Sequence, residues 1–146
     1  MKIKAALLAA LALTLSLSGC GSKTYKDGTY TGRSAEYINE DEADTAGNGY
    51  GIAEITIEGG KITACTFTTY ELDGTVKDEN YGMEGGEIKN RDFYNKAQKA
   101  RAACAVYAEE LVKKGSAQDV DAVSGATVNY NEFLEAVGAA LAQAEE

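Results

Sequence analysis

The 146-residue sequence has no histidine and no proline, and it has only three cysteines. The lack of histidine removes the commonest ligand of zinc, copper and haem iron, and the side chain most used for acid–base work near neutral pH. Histidine-dependent hydrolases and haem carriers are therefore excluded. The cysteines, Cys20, Cys65 and Cys104, form no CxxC pair and no cluster with metal-ligand spacing, which argues against an iron–sulfur site. Basic residues are also scarce, fourteen against twenty-three acidic ones. Nucleic-acid affinity rests largely on Lys and Arg neutralising phosphates, so a nucleic-acid partner is disfavoured.

The N-terminal segment has the order of a bacterial lipoprotein signal. Lys2 and Lys4 precede an uncharged, mostly apolar run from Ala5 to Leu17, and Leu17-Ser18-Gly19 then leads into Cys20. A permanent membrane span needs roughly 20 apolar residues, so a run this short reads as a segment removed on export. An ordinary secretory peptide with an incidental cysteine is the weaker reading, because the cysteine follows Leu-Ser-Gly directly and the chain turns polar at once. The expected organisation is a signal peptide over 1–19, a lipidated Cys20 with a short tether over 20–26, and one domain over 27–146. The expected location is the outer face of the bacterial cell membrane. Removal of the signal leaves twelve basic and twenty-three acidic residues, a net charge of about −11. Such a surface is not drawn to anionic headgroups, so attachment would rest on the acyl chains. In an exported protein Cys65 and Cys104 could pair, but free cysteine is also a common core residue, and both sit at core-facing positions of their segments.

Along the domain, Asp27 to Gly32 suits a first strand, and Ser34 to Asn48, with five carboxylates and little apolar content, reads as a loop. Residues 51–58 and 61–70 are rich in β-branched and aromatic side chains and flank Gly59-Gly60, the signature of a β-hairpin. A polar, Gly-containing segment from Glu71 to Asn90 follows, with a possible short strand near Gly74 to Lys77. Phe93, Ala97, Ala100, Cys104, Tyr107 and Leu111 recur at helical spacing from about Arg91 to Gly115. A second helix carries Phe133, Val137, Ala140 and Leu141 on one face, with Asn129 and Glu132 spaced as an N-cap and its partner three residues on. Strands first and helices later predict an α+β fold, a small antiparallel sheet with two amphipathic helices packed on it.

The segment between the helices carries the chemistry. In Asp121-Ala122-Val123-Ser124-Gly125-Ala126-Thr127, a hydroxyl with small neighbours stands just before a helix start, whose free N–H groups favour a phosphate. The same residues also suit a plain turn into a helix. The segment resembles the flavinylation motif of the FMN-binding domain family, which includes flavoprotein subunits of sodium-pumping quinone reductases and Rnf complexes, and lipoproteins of extracellular electron transfer. Lys26 to Gly32, the Gly59-Gly60-Lys61-Ile62 turn and the last helix extend the resemblance over most of the domain.

The resemblance implies FMN joined covalently through its phosphate to the hydroxyl of Thr127 by a flavin transferase that uses FAD and Mg²⁺. Asp121, Ser124, Gly125 and Ala126 would be the recognition and phosphate-surrounding positions. Residues 70–90 depart from the common form of the family, which has a Gly-rich loop with a proline. Met83 to Gly86 would replace that loop, with Tyr81 or Met83 against the flavin ring. The function implied is a membrane-anchored extracytoplasmic electron carrier, fed by a quinol-linked or other membrane redox donor. The alternatives are an unmodified surface lipoprotein that binds a ligand or partner, and a small flavin-dependent reductase. The acidic residues Glu36, Glu40, Asp41, Glu42 and Asp44 lack the spacing of an EF-hand loop and read as solvated.

Overall fold

The computed structural model describes residues 23–146. The expected signal peptide and Cys20 lie outside the described residues. Three strands, β1 (Gly28–Arg33), β2 (Tyr50–Glu58) and β3 (Lys61–Tyr70), form an antiparallel sheet in sequence order. Two helices follow, α1 (Arg91–Lys114) and α2 (Thr127–Ala144), separated by a short 3-10 turn at Ala117–Asp119. This is the α+β arrangement expected from the sequence.

The β2–β3 hairpin turns on Gly59 and Gly60, with φ of 61° and 73°. Two consecutive positive φ values match the right-handed twist of the strands, and only glycine adopts them without cost. Asp27 reinforces this turn from outside, its side chain accepting the Gly60 N–H at 3.0 Å. The register pairs Ile55 with Cys65 and Ala53 with Phe67, with an irregularity at Thr56/Ile57.

Alternation along the strands sends Ala53, Ile55, Ile57 and Phe67 to one face, where all are buried. Both helices cover that face, α1 against β3 and α2 against β1 and β2. The core centres on an aromatic cluster in which Phe133 meets Phe67 edge-on at 5.5 Å and stacks on Tyr107 at 5.4 Å. Gly32 lets β1 and α2 approach closely, since a Cβ there would lie 2.0 Å from the Ala136 carbonyl oxygen.

Helix α1 is closed at both ends. The Asn90 side chain accepts the Phe93 N–H, and Gly115, at φ 75°, donates its own N–H to the Leu111 carbonyl. The first described residues return to the far end of α2, with Lys26 N–H bonded to the Ala144 carbonyl at 2.9 Å. An 18-residue helix is about 27 Å long at roughly 1.5 Å per residue. Thr127 and the N-terminal end of the domain therefore stand at opposite ends of α2.

Three expectations need correction. Phe93 is 38% exposed rather than part of the buried stripe, because the α1 stripe reaches the core only from Ala97 onward. Residues 74–77 form no strand, only an isolated bridge between Tyr70 and Val76. Asn129 and Glu132 do not cap α2: the helix already starts at Thr127, and both side chains are buried within it. Of the two readings left open for the cysteines, the structure has the free one: Cys104 is buried, Cys65 packs partly buried against the core opposite Ile55, and both are free. The Cys104 sulfur lies 3.9 Å from the Thr69 hydroxyl, whereas Cys65 is four residues, or about 13 Å, back along β3, too far to bridge.

Candidate functional site

Residues Val123 to Ala126 make a tight turn closed by the Ala126 N–H on the Val123 carbonyl at 3.0 Å. Gly125 has φ 82°, the value required at the third residue of a type II turn. Helix α2 begins directly afterwards. Ala126 supplies no side-chain cap, so the N–H groups of the first turn have no intrahelical partner and point out of the helix end. Thr127 is exposed at that end while Ala126 beneath it is buried. Its hydroxyl is accessible and the backbone carrying it is fixed.

The fixing residue is Tyr107 of α1. Its hydroxyl accepts the Val123 N–H at 2.9 Å and donates to the Ala126 carbonyl at 3.1 Å, so both ends of the turn are read by one buried side chain. Burial pushes the phenol pKa up, which keeps the donating proton in place. Tyr130 adds a second anchor, donating to the Val120 carbonyl at 2.7 Å.

The turn and helix start form one wall of a cavity of about 360 Å³. Gly125, Ala126, Thr127, Val128 and Asn129 line that wall, Phe93, Lys96, Ala97 and Ala100 of α1 line a second, and Ala46, Gly47 and Tyr81 close it. A cleft of about 580 Å³ adjoins it, sharing Ala46, Tyr81 and Phe93 and adding Met83. Together they fall in the size range of cofactor sites; the cavity beside Thr127 is mostly apolar, whereas the adjoining cleft is polar and carries Asp44, Glu71, Asp73 and Glu84. The residues suit a flavin nucleotide: free helix N–H groups and Lys96 for a phosphate, and Tyr81 and Phe93 as flat surfaces for a ring.

Tyr81 is held in place by α1. Gln98 donates to the Asp78 and Tyr81 carbonyls at 3.1 and 2.9 Å, and the Tyr94 hydroxyl donates to the Glu79 carbonyl at 2.9 Å. The Tyr81 hydroxyl accepts the Gly47 N–H at 3.3 Å. The structure thus brings Tyr81, Gly125, Ala126 and Thr127 around one cavity and places Met83 in the adjoining cleft. Asp121 and Ser124 are not on its walls. The Asp121 side chain is almost fully exposed, 3.9 Å from the Lys114 ammonium, and Ser124 is exposed on the outer side of the turn.

Four contributors escaped the sequence reading. Phe93 and Lys96 face the cavity from α1. Lys77, only 4% exposed, donates to the Gly47 carbonyl at 3.0 Å. Asn129 donates to the Ala100 carbonyl at 2.8 Å, tying the start of α2 to α1. A lysine beside Val76 in a polar segment, and an Asn inside an apolar helix face, were the available signals, and neither names its partner.

Over residues 48–142 the sequence matches the family described as FMN-binding domain. Among solved structures, the fold is similar to that of the CPE2226 protein from Clostridium perfringens, at 21% identity over 82% of this chain and 88% of that one, with a TM-score of 0.58. A solution structure of a Clostridium thermocellum protein aligns at 23% identity over 77% and 90% of the two chains, with a TM-score of 0.38. No curated protein shows a significant sequence match.

Proposed function

The chain belongs to the FMN-binding domain family, and from that premise we propose that it is an extracytoplasmic electron carrier whose FMN is bound by a phosphoester to the Thr127 hydroxyl. The observation that carries this reading is the exposure of Thr127 on a rigid turn at the open N-terminus of α2, on the wall of a cavity lined by Tyr81 and Phe93. The bound flavin supplies electron transfer through its ring. The chain's own residues would do the rest: the first-turn N–H groups and Lys96 would receive the phosphate, and Tyr81 and Phe93 would offer flat surfaces to the ring. Tyr107 holds the acceptor turn in the shape that a flavin transferase, using FAD and Mg²⁺, would recognise.

A covalent link serves retention rather than reactivity. Outside the cell a dissociated cofactor is diluted away, whereas a tether keeps it at high effective concentration beside its pocket. Attachment through the phosphate leaves the ring chemistry to the flavin, with the protein setting its surroundings. Lipidation of Cys20 would anchor the domain to the outer face of the membrane. The described chain begins beside the C-terminal end of α2, so the flavin site would stand at the end of the domain remote from the anchor, about a helix length of 27 Å away. Thr24 to Lys26 are bonded to the end of α2 and the residues after it, so a membrane redox donor would have to reach past the body of the domain, and the site would face outward for delivery.

The test is an intact mass measured after denaturation. The chain starting after Cys20 is co-expressed with a flavin transferase, as wild type and as Thr127→Val. Wild type should gain the mass of one FMN less one water, and the variant should gain nothing. An unmodified wild type beside a transferase active on another substrate would leave Thr127 as a helix-entry residue only.

A further inference from the structure

Behind the cavity wall lies a layer of buried polar groups that binding of a phosphate or a ring does not require. It contains Ser34, Thr69, Lys77, Asn129 and Glu132. Four of these have partners. The Ser34 hydroxyl accepts the Gly51 N–H, Thr69 contacts the Cys104 sulfur, Lys77 donates to the Gly47 carbonyl, and Asn129 donates to the Ala100 carbonyl. Glu132 is the exception: it is 3% exposed, and neither carboxylate oxygen has a hydrogen-bond partner among the described residues.

An unpartnered buried carboxylate is costly, and a protein that keeps one usually uses it. Glu132 sits three residues beyond Asn129, one turn along the same face of α2. Its neighbour across the layer is Lys77. A Cβ on Gly51 would lie 3.2 Å from the Glu132 Cβ, and a Cβ on Gly49 would lie 2.9 Å from the Lys77 ammonium. The two glycines are two positions apart on β2 and its approach, so both charged chains press against the same backbone. Lys77 and Glu132 are not in direct contact, yet each is the main opposite charge felt by the other.

This pair is linked to the flavin cavity through residues that line it. The Gly47 carbonyl held by Lys77 belongs to a residue lining the cavity, as does Asn129. The Lys77 ammonium also lies 5.1 Å from the centre of the Tyr81 ring, which lines it too.

We propose that Glu132 is a redox-linked proton acceptor of the flavin site, coupled to it through Lys77 and the Gly47–Asn129 wall. The proposal rests on FMN being bound at Thr127. An FMN held there would supply the electron transfer, and when reduced by two electrons and one proton it would add one negative charge beside the wall. A negative charge on the far side of the wall disfavours a second one on Glu132, whose carboxylate takes a proton from solvent and becomes a carboxylic acid. Reoxidation by the partner would withdraw both electrons and release two protons to water, one from the flavin and one from Glu132. The other titratable groups facing the pair are Glu135 on α2, Cys104 on α1, and Glu71 and Tyr81 on the segment after β3. Burial pushes Cys104 and Tyr81 up, so both stay neutral. Gly51 of β2 and Gly49 just before it lie against this pair without adding a charge. Burial likewise raises Glu132 to about 7, so a modest change in field suffices to switch it.

The experiment uses the full-length lipoprotein in detergent, with its FMN load first verified by intact mass. Dithionite reduction is followed by infrared difference spectroscopy near pH 8, and by proton uptake in weakly buffered solution. Wild type should show a new carboxylic acid C=O band on reduction and take up an additional proton per flavin. Glu132→Gln should lose the band and the extra proton while keeping its flavin. A loaded wild type that shows no such band overturns the proposal whether or not the variant folds, and so does a band that persists in Glu132→Gln. A chain that carries no FMN overturns the proposed function, and the inference with it.

Discussion

The Tyr107 hydroxyl donates to the Ala126 carbonyl at 3.1 Å, linking the middle of α1 to the residue that precedes the acceptor threonine. The same oxygen accepts the Val123 N–H, so the turn is gripped at both ends from a position that is fully buried. Tyr107→Phe keeps the ring stack on Phe133 and removes only the oxygen. It strands a buried N–H and a carbonyl, at about 2–3 kcal/mol for the pair of lost bonds. Urea unfolding of the flavin-free chain should show a midpoint lowered accordingly, with an unchanged slope. Flavin loading by the transferase should fall although Thr127 is intact; an unaltered loading rate would mean that turn geometry is not what the transferase reads.

Gly32 carries a different kind of constraint. A Cβ at this position meets backbone, 2.0 Å from the Ala136 carbonyl oxygen and 2.4 Å from the Ala140 nitrogen. No rotamer change relieves such a clash, so Gly32→Ala forces β1 and α2 apart. The cost should be at the upper end of the roughly 1–3 kcal/mol typical of overpacking, or beyond it. Gly59→Ala, in open space at the hairpin tip, should cost only the strain of its positive φ, about 1–2 kcal/mol. Thermal denaturation of the two variants should separate them, and equal losses would contradict the close approach of helix and strand.

The parts of the fold that were legible in the sequence are those set by local chemistry. Gly59-Gly60 between two β-branched runs specifies a hairpin whatever surrounds it, and Asn90 and Gly115 bound α1 by capping alone. The acceptor turn was legible for the same reason, since Gly125 and the small residues beside it act within a few residues. Asn129 and Glu132 show where local reading fails. Their spacing fits a capping box, but the side chain of Asn129 is claimed by the Ala100 carbonyl, 29 residues away. Lys77, Phe93 and Lys96 were missed on similar grounds: each acts through contacts with segments distant in sequence. The exposed acidic loop, by contrast, carries its own turns, with Asp41 and Asp44 each accepting an N–H two residues on.

The buried carboxyl of Glu132 gives stability a direction with pH that most carboxylates do not. Burial raises its pKa in the folded chain to about 7, from an ordinary value of 4.5. The folded state therefore binds this proton more tightly than the unfolded state does. Below about pH 4.5 both states are protonated and the contribution is whole. As pH rises from there to about 7, only the folded state still holds the proton, so unfolding releases it and stability falls. Above 7 the loss is complete, and it amounts to something on the order of 3 kcal/mol at about 1.4 kcal/mol per pKa step. Asp27, Asp73 and Glu110, whose pKa values are lowered by hydrogen bonds from 3.8, 3.8 and 4.5, act in the opposite sense, and their gain is confined to the acid edge of this window and below it. Unfolding free energies of the flavin-free chain between pH 5 and 8 should therefore decline in the wild type. Glu132→Gln cannot ionise and should be flatter over the same range, whatever its absolute stability beside Lys77. Parallel curves for the two chains would mean that Glu132 is already charged in the folded protein, with water or Lys77 supplying the partner it otherwise lacks.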